Sequence, residues 1–85
     1  MNKKEVSIYT TPSCVYCRMT KEFFKKNGID YKEFNVAADI KAREEMIHRS
    51  GQLGVPVITI GTDVVIGFDQ PKLTDLLELK PSARP

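Results

Sequence analysis

Val6, Ile8 and Thr10 alternate with Ser7 and Tyr9, a period-two run rich in β-branched residues that predicts a strand over residues 5–10. Thr11, Pro12 and Ser13 break it, and from Val15 to Asn27 the pattern becomes helical. Tyr16, Met19 and Phe23 recur at i, i+3 and i+7, with Cys17 in phase with Phe24. Lys25 and Lys26 suit a helix C-terminus, and Gly28 supplies a left-handed stop. Residues 29–36 read as a weaker strand, because Phe34 and Val36 keep period two while Tyr31 falls out of phase. Asp39 caps a second helix running to Ser50, with Ile40, Met46 and Ile47 inward, Arg43, Glu44, Glu45 and Arg49 outward, and Gly51 at its end. Residues 56–60 and 63–66 are short β-rich runs joined through Gly61 and Thr62, a hairpin signature. Pro71 suits a first helical turn, Leu73, Leu76 and Leu77 form the apolar side of a last helix, and Pro81 stops it. The resulting order, βαβαββα, predicts an α/β fold: a four-stranded mixed sheet flanked by three helices.

Eighty-five residues allow one domain, expected over residues 1–80, with one core that buries roughly 60% of the surface exposed by the unfolded chain. Residues 81–85 are expected to be a frayed tail or a leftover of cloning, since the segment from Lys80 carries two prolines and only Ala83 to pack. With 41% hydrophobic and 28% charged residues, the composition is that of a globular chain. Its 13 basic and 11 acidic side chains are interspersed, so nucleic acid is not an expected partner. After Lys3 and Lys4 the apolar stretch is too short for a signal peptide, and no apolar run approaches the roughly 20 residues that span a bilayer. A cytoplasmic protein with no membrane association is the expectation, and a monomer its working state.

Candidate chemistry gathers at Cys14 and Cys17, which are all the cysteine the chain has. They sit at the junction of the first strand and first helix. Residues three apart on a helix share a face at roughly 5–6 Å between Cβ atoms, close enough for a disulfide that opens and closes. Cys14, at the helix start, would meet unsatisfied backbone N–H groups and the positive end of the dipole, both of which favour thiolate. Such settings lower a cysteine pKa from about 8.5 into the range of about 3.5–7.5. Cys14 is therefore the expected nucleophile, and Cys17, a turn further in, the thiol that resolves the mixed disulfide. Two other readings compete. A zinc site needs about four ligands, and only Cys14, Cys17 and the lone His48 are on offer, so no metal is expected. A purely structural disulfide closing so small a loop would constrain the unfolded chain little. Cys-x-x-Cys in a βαβ setting favours the redox pair.

Thr10-Thr11-Pro12-Ser13-Cys14-Val15-Tyr16-Cys17, Gly54-Val55-Pro56 and Ile66-Gly67-Phe68-Asp69, in that order, resemble the glutaredoxin family over residues 5–79. Arg43-Glu44-Glu45-Met46-Ile47, followed by Arg49-Ser50-Gly51, is similar to bacterial glutaredoxins. The resemblance implies a thioredoxin fold and a thiol-disulfide oxidoreductase that uses glutathione as reducing co-substrate and acts on disulfide-bearing or glutathionylated proteins. It further implies that Tyr16, Gly54, Val55, Pro56, Gly67, Phe68 and Asp69 contact glutathione or substrate. Tyr16 would flank glutathione, and Pro56 would follow a cis bond, leaving the Val55 backbone to pair with an extended substrate. By residue pattern alone Pro56 could instead start an edge strand, Tyr16 could be a half-exposed helix residue, and Asp69 could cap the helix that Pro71 begins.

Departures from the family pattern matter as much. Val15 stands where the family usually has proline, which alters the stiffness of the dithiol turn. Thr11, Gln52 and Gln70 stand where glutathione-using relatives often carry lysine, arginine and a second aspartate, which weakens the expected grip on glutathione. Gly67-Phe68 is also similar to the glutaredoxin-like electron donors of ribonucleotide reductase, recharged by thioredoxin reductase, although Asp69-Gln70 replaces their Arg-Pro. Some small relatives use selenocysteine at the position of Cys14. Iron–sulfur cluster carriers, a third alternative, more often have Cys-Gly-Phe-Ser than Cys14-Val15-Tyr16-Cys17. Arg18 and Lys21 either add positive potential near Cys14 or form a solvated helical face.

Overall fold

Each strand that the alternation marks is present in the computed structural model, which describes residues 5–79. β1 (Val6–Thr10), β2 (Lys32–Asn35), β3 (Val57–Ile60) and β4 (Asp63–Ile66) form one mixed sheet of order β2–β1–β3–β4. β1 runs parallel to β2, with Ile8 opposite Glu33, and antiparallel to β3, with Ile8 opposite Ile58. The parallel pairing requires a crossover, which α1 (Val15–Lys26) supplies. The β3–β4 hairpin closes through Gly61 and Thr62, with Gly61 at φ +61. α2 (Ile40–Ser50) and α3 (Gln70–Leu76) complete the expected order. The tail after residue 80 and the stop at Pro81 lie outside the described residues.

Helices cover both faces of the sheet, so its inner strands are buried on both sides. Val6, Ile8, Ile58, Ile60 and Val65 pack with Phe24 of α1 and Leu73 of α3, while Tyr9 and Val57 pack on the other face with Ala42 and Met46 of α2. All four β3 residues are buried. Full burial of an Ile, Leu or Phe side chain contributes roughly 1.5–3 kcal/mol, so the β1–β3 pair anchors the fold. Pro56, directly before β3, is buried as well; because β3 is an inner strand, the edge-strand reading of that proline is corrected.

The helix ends match their residues. Asp39 Oδ1 accepts from the Ala42 N–H at 3.1 Å and Asp69 Oδ1 from the Lys72 N–H at 3.2 Å. Gly28 and Gly51 follow α1 and α2 with φ of +67 and +76, the left-handed region glycine enters without penalty.

The structure selects one of the two phases marked on α1 and overturns two other expectations, on α2 and the second strand. On α1 the buried stripe is Cys17, Thr20 and Phe24, while Tyr16 and Met19 are 61% and 41% exposed. Of the two phases the sequence marks on this helix, it docks on that of Cys17 and Phe24, and in the other only Phe23 keeps partial core contact. On α2, Ile40 is 70% exposed and the inward pair is Ala42 and Met46. At 100° per residue, Ile40 lies roughly 200° round the helix from Ala42, which points it away from the sheet. The second strand is shorter than residues 29–36. Tyr31 precedes it and leaves the pattern because its ring packs on Phe24, with centroids 5.2 Å apart.

Candidate active site

The end of β1 and the start of α1 build the site. After Thr10 the chain turns through Thr11, Pro12 and Ser13, with the Cys14 N–H donating to the Thr11 carbonyl at 3.3 Å. Cys14 is the N-cap of α1, with extended backbone (φ −88, ψ 112). Its Sγ accepts from the Cys17 N–H at 3.0 Å and forms a disulfide with Cys17 across a Cα–Cα separation of 5.2 Å. Both factors expected to favour a thiolate are therefore aimed at Cys14: an amide donor and the positive end of the helix. Cys14 is partly exposed, whereas Cys17, on the buried stripe of α1, is 1% exposed.

On the β3–β4 side, a groove of about 630 Å³ runs from Tyr16 along Val55 and Pro56 to Gly67, Phe68 and Asp69, with Ile66, Gln70 and Pro71 closing it. The Val55–Pro56 bond is cis. The Gly67 N–H donates to the Pro56 carbonyl at 2.9 Å, tying the loop after β4 to the start of β3. Gly67 has φ +81, a conformation strained for any residue with a Cβ. Phe68 is pinned by an edge-on contact with Phe23 at 5.8 Å. Asp69 uses Oδ1 as the α3 cap and also lines the groove. None of the groove residues is basic. Gly54 is exposed and does not line the groove; its carbonyl accepts from Gln52 Nε2 at 3.5 Å instead.

Toward β2, the disulfide borders a second, more polar cavity of about 330 Å³, lined by Cys14, Cys17, Thr10, Thr11, Arg18, Lys21, Glu33 and Asn35, with Pro12 and Ser13. Glu33 Oε2 accepts from both Thr10 Oγ1 and Lys21 Nζ, each at 2.9 Å. The Lys21 ammonium hydrogen-bonded to it holds the Glu33 carboxyl below the usual carboxylate range; burial opposes this and the Thr10 hydroxyl assists. Glu33 carries no sequence signal, since it reaches Thr10 and Lys21 only through the parallel pairing of β1 with β2 across α1. The charge at Arg18 and Lys21 was visible in the sequence, but its address in this cavity was not. His48 is exposed on α2, and among the described residues no three His, Cys, Asp or Glu side chains cluster as metal ligands.

A family model described as Glutaredoxin matches residues 6–65. The chain belongs to the glutaredoxin family. It is 45% identical over 73 residues to a glutaredoxin-like 8.6 kDa protein of the rubredoxin operon of Clostridium pasteurianum, covering 86% of this chain and 97% of that one. Among solved structures it is similar to a point mutant of the thioredoxin-like protein BC3987, with a TM-score of 0.86, 35% identity, and coverage of 92% of this chain and 100% of the other. It is also similar to the glutaredoxin-like NrdH-redoxin from Escherichia coli, with a TM-score of 0.72, 29% identity, and coverage of 93% and 99%. The fold is the thioredoxin fold that the resemblance implied, and glutaredoxin-type enzymes are thiol-disulfide oxidoreductases with a Cys-x-x-Cys pair such as Cys14 and Cys17. No helix of the described residues is long and apolar enough to cross a membrane.

Proposed function

We propose that this protein reduces protein disulfides and glutathione mixed disulfides through Cys14 as attacking thiolate and Cys17 as resolving thiol, with glutathione restoring the dithiol. The reading rests on one contrast: a partly exposed Cys14 Sγ that accepts an amide hydrogen bond at 3.0 Å at a helix start, beside a Cys17 that is 1% exposed. A thiolate is stabilised at the first position and disfavoured by burial at the second. In the forward direction Cys14 attacks the substrate disulfide, one substrate sulfur leaves, and Cys17 then attacks Cys14 Sγ and expels the other. Tyr16, Val55, Pro56, Gly67, Phe68 and Asp69 are the proposed substrate-binding residues, with Asp69 receiving a cationic group through the carboxylate oxygen not used in capping. Gly54 has no geometric support for this role. The reaction runs in the cytoplasm, in a monomer.

A second reading is favoured by the absence of basic residues along the groove and by the likeness to NrdH-redoxin. Glutathione carries two carboxylates, and the groove has no cation to meet them. Recharging by thioredoxin reductase, with ribonucleotide reductase as a recipient of the electrons, is then the alternative. NADPH loss is followed with the oxidised protein plus glutathione and glutathione reductase, and separately with thioredoxin reductase. Turnover with glutathione is expected. Turnover with thioredoxin reductase alone replaces the first reading by the second, and full activity of Cys14→Ser in either system removes the dithiol mechanism common to both.

A further inference from the structure

The polar cavity behind the disulfide is not used by the groove-side chemistry, yet it contains the buried Cys17. Resting on the reading that Cys17 resolves the mixed disulfide, we propose that Lys21, held by Glu33 and lying one turn beyond Cys17 on α1, is a positioning residue that favours the Cys17 thiolate during resolution. Residues four apart on a helix are neighbours, roughly 5–6 Å between Cβ atoms, and Lys21 lines the same cavity as Cys17 and Cys14. A long lysine side chain would ordinarily sample solvent, but here the ammonium is fixed at 2.9 Å from Glu33 Oε2. Glu33 is in turn fixed by the hydroxyl of Thr10, which is 2% exposed at the end of β1. The anchor thus belongs to the sheet and the charge to the helix that carries both cysteines.

Of the charged groups in the cavity, Arg18 and Lys21 come from α1 and Glu33 from β2, while the end of β1 and the loop of residues 11–13 bring none. Arg18 is four residues from Cys14 and Lys21 four from Cys17, so each sulfur has its own cation one turn away. Glu33 stays ionised at neutral pH, because its carboxyl is held below 4.5 by the Lys21 ammonium. It is therefore a poor acceptor for a thiol proton and acts instead as the tether. In the resolving step Cys17 loses its proton to solvent entering the cavity, and the thiolate attacks Cys14 Sγ. The Cys14–substrate S–S bond breaks, the substrate sulfur leaves as thiolate, and the two electrons of the Cys14–Cys17 dithiol end on the substrate.

The test isolates that step. Reduced protein is converted to the mixed disulfide of Cys14 with thionitrobenzoate, and the coloured thiolate released by Cys17 is followed over a range of pH. In Lys21→Gln the midpoint of the rate–pH curve is expected to rise by about half to one pH unit, slowing release at neutral pH about three- to tenfold. Lys21→Arg restores the parent curve, and Lys25→Gln, which removes the same charge one turn further along α1, leaves it in place. A Lys21→Gln midpoint equal to that of the parent, or an equal rise in Lys25→Gln, overturns the proposal. Release that is just as fast in Cys17→Ser overturns the resolving role itself, a separate outcome.

Discussion

Phe24 is the residue through which α1, and with it the dithiol, is held on the sheet. It is 0% exposed and sits among Val6, Ile8, Ile58 and Leu73, with ring centroids 5.2 Å from Tyr31 and 6.2 Å from Phe23. Truncating a buried Phe to Ala costs about 3–5 kcal/mol through lost transfer energy and the cavity left behind, and the aromatic contact with Tyr31 weights the loss toward the upper end. A chain of this length has a total stability of about 4–13 kcal/mol at roughly 0.05–0.15 kcal/mol per residue. Phe24→Ala therefore removes a large part of it, and Phe24→Leu, which keeps most of the apolar volume, is expected to cost about 1–2 kcal/mol. Urea unfolding of both variants, in oxidised and reduced protein, gives midpoints and slopes. Because Phe24 is seven residues from Cys17 and touches neither cavity, folded Phe24→Leu should keep the parent order of alkylation, Cys14 before Cys17. A Phe24→Ala loss below about 1.5 kcal/mol, with unchanged slope, would refute the view that this side chain anchors the helix.

Two further expectations follow from named contacts. Glu33 has a carboxyl pKa lowered in the folded state, so its contribution to stability is complete above its unfolded value near 4.5 and is lost as pH falls through the folded value. Since the Lys21–Glu33 pair is about a third exposed, that contribution is about 0.2–1 kcal/mol, and denaturant midpoints of Glu33→Gln should approach the parent only in acid; a constant difference across pH 2–6 refutes it. Asp39→Ala removes the α2 cap and is expected to cost about 1 kcal/mol in the same unfolding assay, with Asp39→Ser recovering most of it; equal stability of Asp39→Ala and parent counts against the cap.

Much of this molecule is written in short-range chemistry. The order of elements, the caps at Asp39 and Asp69, the stops at Gly28 and Gly51, the Gly61–Thr62 hairpin and the Cys14–Cys17 spacing each depend on residues within about one helical turn or one strand pair. Periodicity can therefore reveal them. Periodicity also marks two candidate stripes on α1, and the choice between them depends on how the helix meets the sheet. Docking on Cys17, Thr20 and Phe24 is what buries one sulfur and leaves Tyr16 to wall the groove. The outward position of Ile40 has the same origin, since α2 seats Ala42 and Met46 against Tyr9 and Val57.

The groove residues were reached through family resemblance because they come from three separate stretches of chain, and Gly54, next to Val55 in the same motif, does not line the groove. Glu33 was legible in neither way. Its 12-residue distance from Lys21 and 23-residue distance from Thr10 are closed only by the parallel β1–β2 pairing that α1 makes possible. Local patterns can fix which segments become helix or strand, because those preferences act over a few bonds. Which side chains share a cavity with a sulfur is decided by long-range packing, where the energy lies in contacts between residues far apart in the chain.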